Sequence, residues 1–242
     1  MLPPKTTSLT PLLLLASLLL LGGCGGDRSA ARRLTGAARG WNVLLLSVDT
    51  LRADRLGAYG YRARETSPRI DALLAEGVRF EQANAQRAAT WPSLATVLTG
   101  LYPSAHGVVE NGYGFPDGLP TLPLSLHAAG YETGAFLSNM CKANHQGWDG
   151  FGCTGGEDGK TVRRAIDWTR ARGGKRPFLL WVHMFGAHSP YYNGGDAADR
   201  ILDPGYQGPV GPRRWQLDRI HRERIPFSAR DLRHLDAIYD AA

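Results

Sequence analysis

The sequence has only three cysteines, at positions 24, 141 and 153. That is too few for a structural zinc site, whose four Cys or His ligands come in close pairs. It also lacks an apolar run long enough to cross a bilayer, which takes about 20 residues. The longest run, Leu12 to Leu21, is interrupted by Ala16-Ser17 and ends in small residues beside Cys24. No basic stretch is interleaved with aromatics. The formal charge is a mild +6, and the arginines are spread along the chain, densest between Arg213 and Arg233. Solvated helix faces account for them, and nucleic acid is excluded as a partner. There is no internal repeat of solenoid length.

What is present begins with an export pattern. Lys5, the apolar run and Gly22-Gly23-Cys24 stand in the charged, hydrophobic, small-residue order of a secretory signal. Leu21-Gly22-Gly23-Cys24 resembles a bacterial lipobox. The resemblance implies cleavage before Cys24, lipidation of that residue and a tether to a membrane surface. An ordinary signal peptide with an incidental cysteine is the alternative. Residues 1–23 are therefore read as a lipoprotein signal peptide and residues 24–40, rich in Gly, Ala and Arg, as a flexible tether. Residues 41–242 form the folded part. Without Lys5 the charge falls from +6 to +5. The expected location is exported, lipid-anchored to a bacterial membrane and facing the periplasm. In such an oxidising compartment Cys141 and Cys153 could pair; two reduced thiols are the alternative.

Order is expected from Trp41. Asn42 to Val48 is a continuous apolar run ending at Asp49, the pattern of a strand buried on both faces of a parallel sheet. A helical pattern from Ser67 to Glu76 stops near Gly77 and leads into Val78-Arg79-Phe80. A second helix fits Leu122 to Ala129, followed by strand-like Tyr131 to Leu137. A third fits Thr161 to Arg172, followed by the apolar strand Phe178 to His183. The alternation predicts an α/β fold with a mostly parallel central sheet and helices on both faces. Ligands of open α/β sheets sit beyond the carboxyl ends of the strands. Those ends are polar here: Asp49-Thr50, Ser138-Asn139, and His183 through His188.

The segment Arg87 to Gly100 starts irregularly and turns helical, with Pro92 in the first turn. Thr90, just before it, falls where unsatisfied backbone N–H groups converge, a place that suits an anion or an activated hydroxyl. A plain capping role is the alternative. Thr154-Gly155-Gly156-Glu157-Asp158-Gly159-Lys160-Thr161 has part of a phosphate-binding loop pattern, but its first required glycine is Thr154 and no buried strand is expected before it. It is read as a surface loop before a helix.

Ser47-Val48-Asp49-Thr50-Leu51-Arg52-Ala53-Asp54-Arg55-Leu56-Gly57-Ala58-Tyr59-Gly60-Tyr61 resembles the opening motif of the sulfatase family, within the alkaline phosphatase superfamily. Thr90-Trp91-Pro92-Ser93-Leu94 and Leu98-Thr99-Gly100-Leu101-Tyr102-Pro103 stand in the order of that family's nucleophile helix. Ala128-Ala129-Gly130-Tyr131-Glu132-Thr133 and His183-Met184-Phe185-Gly186-Ala187-His188-Ser189-Pro190-Tyr191 are similar to later family blocks. The resemblance covers nearly everything from Trp41 to Ala242 and implies the N-terminal part of a catalytic domain. It implies Asp49 as ligand of a divalent cation with Thr50 assisting, Thr90 as nucleophile and ligand, and His188 facing the charged oxygens of an ester. Asn139 is assigned either an ester contact or a loop cap. His183 is assigned either a core position or a substrate contact. Asp54 and His106 are read as turn or structural residues.

Three departures shape the expectation. The family oxidises Cys or Ser to formylglycine, and threonine cannot give that aldehyde, so formylglycine is not expected here. Leu94 replaces the motif's arginine, and Ser138 stands near the place of the family's active-site lysine. The sequence also contains no Asp-His dipeptide, the late metal-binding pair of the family, so the chain reads as cut before that pair. A cation would then lack most of the six or so oxygen ligands it prefers. Ca2+ is the favoured ion, with Zn2+ or Mn2+ compatible with a Thr nucleophile. The expected activity is hydrolysis of a sulfate or phosphate ester on a glycan or lipid headgroup. A non-catalytic lipoprotein binding such an anionic group, and a transferase of phospho-headgroups, are the alternatives.

Overall fold

The computed structural model describes residues 36–142, 145–191 and 195–242. The signal peptide, Cys24 and most of the tether lie outside the described residues. Four strands form one sheet in the order β1-β4-β2-β3, with β1 Val43–Val48, β2 Glu132–Leu137, β3 Gly150–Cys153 and β4 Phe178–Met184. Every pairing is parallel. Eight α-helices accompany them among the described residues: α1 Pro68–Glu76, α2 Thr90–Thr99, α3 Pro103–His106, α4 Leu122–Ala128, α5 Asp158–Ala171, α6 Gly195–Ile201, α7 Arg214–Glu223 and α8 Ala229–Ala241. Residues 78–80 join no strand, and Val78 and Phe80 are exposed.

The period-two alternation of β4 divides the core. Trp181 packs with Ala135 and Leu137 of β2 against Leu94 and Leu98 of α2 on one face. Leu180 and Val182 pack with Phe136 against Ala165 of α5 on the other. Trp181, Leu137 and Leu179 are fully buried, each worth about 1.5–3 kcal/mol relative to exposure. Helices thus cover both faces of the β2–β4 centre.

The first strand departs from expectation. It was expected to be buried on both faces, but it lies at a sheet edge with Leu44 and Leu46 more than half exposed. Its other face, carrying Leu45 and Ser47, is half-buried. The apolar character of the run is real, but no element among the described residues covers the flank beside α5.

The short strand β3 also went unrecognised, because two of its four residues are glycine. Gly134 of β2 and Gly150 of β3 are direct partners in the sheet. A Cβ would meet the Trp168 indole at 3.0 Å from Gly134 and at 2.5 Å from Gly150. The glycines let Trp168 of α5 lie against the sheet. β3, in which only Gly152 is buried, directly precedes the glycine-rich turn, before which no buried strand is expected. Within that turn the Gly156 N–H is bonded to the Ser138 carbonyl, and Asp158, at the start of α5, accepts hydrogen bonds from the backbone N–H groups of Phe185 and Gly186 at 2.8 and 2.7 Å. A disulfide joins Cys141 to Cys153, with Cα atoms 5.2 Å apart.

The C-terminal helix closes on the loop after β1. Ser228 and Asp231 form a reciprocal capping box at its start. At its end the buried Asp240 carboxylate accepts from Arg64 at 2.6 Å, Arg55 at 3.3 Å and the Tyr61 hydroxyl.

Gly150→Ala is expected to force Trp168 off the sheet and lower stability by about 1–3 kcal/mol, the usual cost of overpacking. Urea denaturation checks this, and an unchanged midpoint would show that the contact is not tight.

Candidate active site

The carboxyl ends of β1 and β4 lie side by side because Ser47 pairs with His183 and Val48 with Met184. The Asp49 N–H continues the ladder to the Met184 carbonyl at 2.9 Å. The chain then turns abruptly, since Thr50 takes φ 54°, a left-handed conformation that β-branched residues avoid. Two hydroxyls hold it there. The Thr50 hydroxyl lies 2.8 Å from the carbonyls of Asp49 and of Ala187, and the Tyr239 hydroxyl donates to the Thr50 carbonyl at 2.9 Å. The Thr50 proton is therefore held by backbone carbonyls. Turning there leaves the Asp49 side chain, 9% exposed, facing α2.

Thr90 opens α2, and its hydroxyl does not cap the helix. It donates to Asp49 Oδ2 at 2.9 Å. The capping bond comes from Asn111, whose side-chain carbonyl accepts from the Trp91 N–H at 3.0 Å. Thr90 is thereby free to face the carboxylate. The hydroxyl–carboxylate pair sits in a cleft of about 430 Å³, which His183, His188 and Arg87 also line.

The two cleft histidines are held differently. His183 Nδ1 lies 2.9 Å from Ser47 Oγ, and its Nε2 lies 3.8 Å from Asp49 Oδ2 with no hydrogen-bond partner among the described residues. Burial lowers its pKa from the ordinary imidazole value, against the pull of the Asp49 and Asp158 charges. Burial thus favours the neutral ring over the imidazolium. His188 stacks on Phe185 with centroids 4.2 Å apart, and its Nδ1 donates to the Ser189 carbonyl, which orients the ring and leaves Nε2 for the cleft.

Asp49, Thr50, Thr90, His183 and His188 therefore converge, whereas Asn139, Ser138 and His106 do not. Asn139 spends its side-chain carbonyl on the Met140 N–H at 2.8 Å, supporting a residue with φ 66°, and it does not line the cleft. Ser138 is buried and donates to Thr161 of α5 at 2.9 Å, on the opposite face of the sheet from Trp181. His106 is a buried structural residue between Val108 and Thr96. Sequence reasoning missed Asn111, Ser47 and Trp181, whose roles come from register and loop path. Arg87 carries no signal in the sequence beyond its place at the opening of the Arg87 to Gly100 segment.

A family model described as Sulfatase matches residues 41–202, more than half of the chain. The N-acetylglucosamine-6-O-sulfatase of Bacteroides thetaiotaomicron is 26% identical over 208 residues, covering 76% of this chain and 36% of that protein. The N-acetylgalactosamine-6-sulfatase of Sus scrofa is 36% identical over 118 residues, covering 43% of this chain and 22% of that protein. The chain thus spans about a third of the first relative's length. In structure, the phosphonate monoester hydrolase of Agrobacterium radiobacter matches with a TM-score of 0.62 at 20% identity, over 83% of this chain and 56% of that one. At that identity the likeness is one of fold.

Enzymes of this family generally use a divalent metal, so the donor set must be tested against one. The cleft offers one carboxylate, Asp49, and the hydroxyl oxygens of Thr90 and Thr50, whose protons go to Asp49 and to backbone carbonyls. No group of three or more His, Cys, Asp or Glu suited to a metal exists among the described residues. A hard dication prefers six or more oxygens, and these residues alone do not fit it. Calorimetric titration of the chain with Ca2+, and separately with Zn2+ or Mn2+, is expected to show no saturable micromolar site. A tight, Asp49-dependent site would contradict this account of the donor set.

Proposed function

Because the chain belongs to the sulfatase family, we propose that its cleft is the nucleophile half of an ester hydrolase acting on sulfate or phosphate esters, with Thr90 as the attacking residue. The observation that carries this reading is the 2.9 Å hydrogen bond from the Thr90 hydroxyl to the buried Asp49 carboxylate at the rim of a parallel sheet. A lone threonine at a helix start more often caps the helix, and here Asn111 has taken that task.

The chemistry follows from the geometry. Thr90 Oγ1 attacks phosphorus or sulfur and forms a covalent ester, while the bond to the leaving oxygen breaks. The Thr90 proton passes to Asp49 Oδ2, and the leaving oxygen departs with a proton drawn from solvent. Water then attacks the central atom and releases its own proton to solvent, and Oγ1 recovers the proton held on Asp49. His183, His188 and Arg87, which line the same cleft, face the charged oxygens of the ester. Threonine cannot form an aldehyde hydrate, so it lacks the route by which formylglycine expels sulfate. A phosphate ester is therefore the substrate whose intermediate Thr90 can both form and release.

Ca2+ is the favoured cation of this reading. Asp49 and Thr90 would hold it only together with ligands that the described residues do not supply. The names of the two relatives point to sulfated amino sugars, so a glycan ester stands beside a lipid headgroup as substrate class. The lipobox pattern at Cys24 supports a location at a membrane surface outside the cytoplasm. The shortage of metal ligands favours one further reading, a lipoprotein that binds such an anionic group without turnover. Chelator-insensitive binding with no product would mark it.

Thr90→Ala is expected to reduce hydrolysis of aryl phosphate or aryl sulfate at least about 10³-fold, as loss of a covalent nucleophile does, with an unchanged melting curve. Stopping turnover in acid should trap the added mass on the peptide carrying Thr90. Full activity in Thr90→Ala would sink the assignment.

A further inference from the structure

Two histidines are buried to within 1% of full burial, and their surroundings differ. His106 has both ring nitrogens engaged: Nδ1 accepts from the Val108 N–H at 3.1 Å, and Nε2 lies 3.1 Å from the Thr96 hydroxyl, whose proton goes to the Pro92 carbonyl. His183 has only Nδ1 engaged. Its Nε2 has no partner among the described residues, and His183 lines the cleft that holds Thr90.

Ser47 decides which nitrogen of His183 carries the proton. An indole N–H can only donate, so Trp181 Nε1 donates to Ser47 Oγ at 2.9 Å. Ser47 Oγ also lies 2.9 Å from His183 Nδ1, and no other acceptor for the serine proton is in reach among the described residues. Were Nδ1 protonated, two N–H groups would converge on Ser47 Oγ and the serine proton would have no acceptor. Ser47 is half-buried at the cleft wall, so its proton would have to leave the protein's own hydrogen bonds for solvent. Nδ1 therefore accepts, and the ring proton resides on Nε2.

We infer that Trp181 and Ser47 are positioning residues that fix His183 as a neutral donor, its Nε2–H held ready for an anionic oxygen of the ester beside Thr90. Asp49 Oδ2, at 3.8 Å, is too distant to bind this hydrogen but favours a donor over a lone pair at that point. Nε2 in this state has no lone pair for a metal ion, so His183 serves the substrate's oxygens alone. The strand register builds the relay: Ser47 pairs with His183, Leu45 pairs with Trp181, and all four side chains share one face of the sheet. The choice of ligand rests on reading the cleft as an ester site, whereas the position of the proton does not.

The test labels the seven histidines with 15N and records long-range 1H–15N correlations at neutral pH, using His183→Gln to identify the His183 signals. The expected pattern has Nδ1 at an unprotonated shift and Nε2 at a protonated one. Ser47→Ala should narrow their separation, Trp181→Phe should narrow it less, and Ser47→Thr should restore it. A protonated Nδ1, an imidazolium pattern, or a separation unmoved by Ser47→Ala overturns the inference. If Ser47→Ala does not fold, the wild-type spectrum decides alone. Turnover is not read here, so a protein inactive on every ester but showing the expected pattern would support the relay while sinking the hydrolase reading.

Discussion

The parallel pairing of β1 with β4 is the constraint on which the site depends. It brings Asp49 and the Phe185–His188 turn to one rim and sets Ser47 beside His183. A slip of one residue would send Ser47 to the opposite face and Val48 into its place, because side chains alternate with period two. The relay to His183 and the direction of Asp49 would be lost together. Packing defends the register. On one face of β4, Trp181 is locked into the cluster with Leu94 and Leu98, and on the other Val182 is locked against α5.

The cleft is held from a distance as well. Thr50 adopts a backbone conformation that threonine disfavours, and one of the bonds that keeps it there comes from Tyr239. The same Tyr239 hydroxyl accepts the Arg52 N–H at 2.8 Å. Asp240 beside it gathers Arg55, Arg64 and Tyr61. The loop that aims Asp49 is thus fastened by the final helix of the chain, far away in sequence. Such strain persists only where its surroundings over-determine it, and two hydroxyl-mediated bonds plus a buried carboxylate meet that condition.

Much of the fold was legible in the sequence because continuous apolar runs and helical periodicity survive in β1, β2, β4, α1, α4 and α5. The start of α5 at Asp158 rather than Thr161 was not, since its first turn looks like loop. β3 was hidden because half of its residues are glycines, which make room for Trp168 and Phe136. At the site, Asp49 and Thr90 could be found because each interrupts or begins a recognisable pattern. Their hydrogen bond could not, as it spans 41 residues. Asn111 left no trace in the sequence: its task is set by the path of a glycine-rich loop. Asn139 occupies a strand end, as a ligand would, yet its side chain is consumed in shaping the turn.

The open flank of β1 has a bearing on how the molecule behaves in a test tube. Leu44 and Leu46 lie beside Val162 and Ile166 of α5 in an almost wholly apolar trough, next to a strand edge that pairs with nothing among the described residues. Two copies can bury these troughs against each other without either giving up a single native hydrogen bond. Turbidity at high concentration would then report well-folded chains sticking by their sides. A mild detergent, which coats the trough, is the remedy suited to that state, and refolding from denaturant would return the chains to the same stickiness.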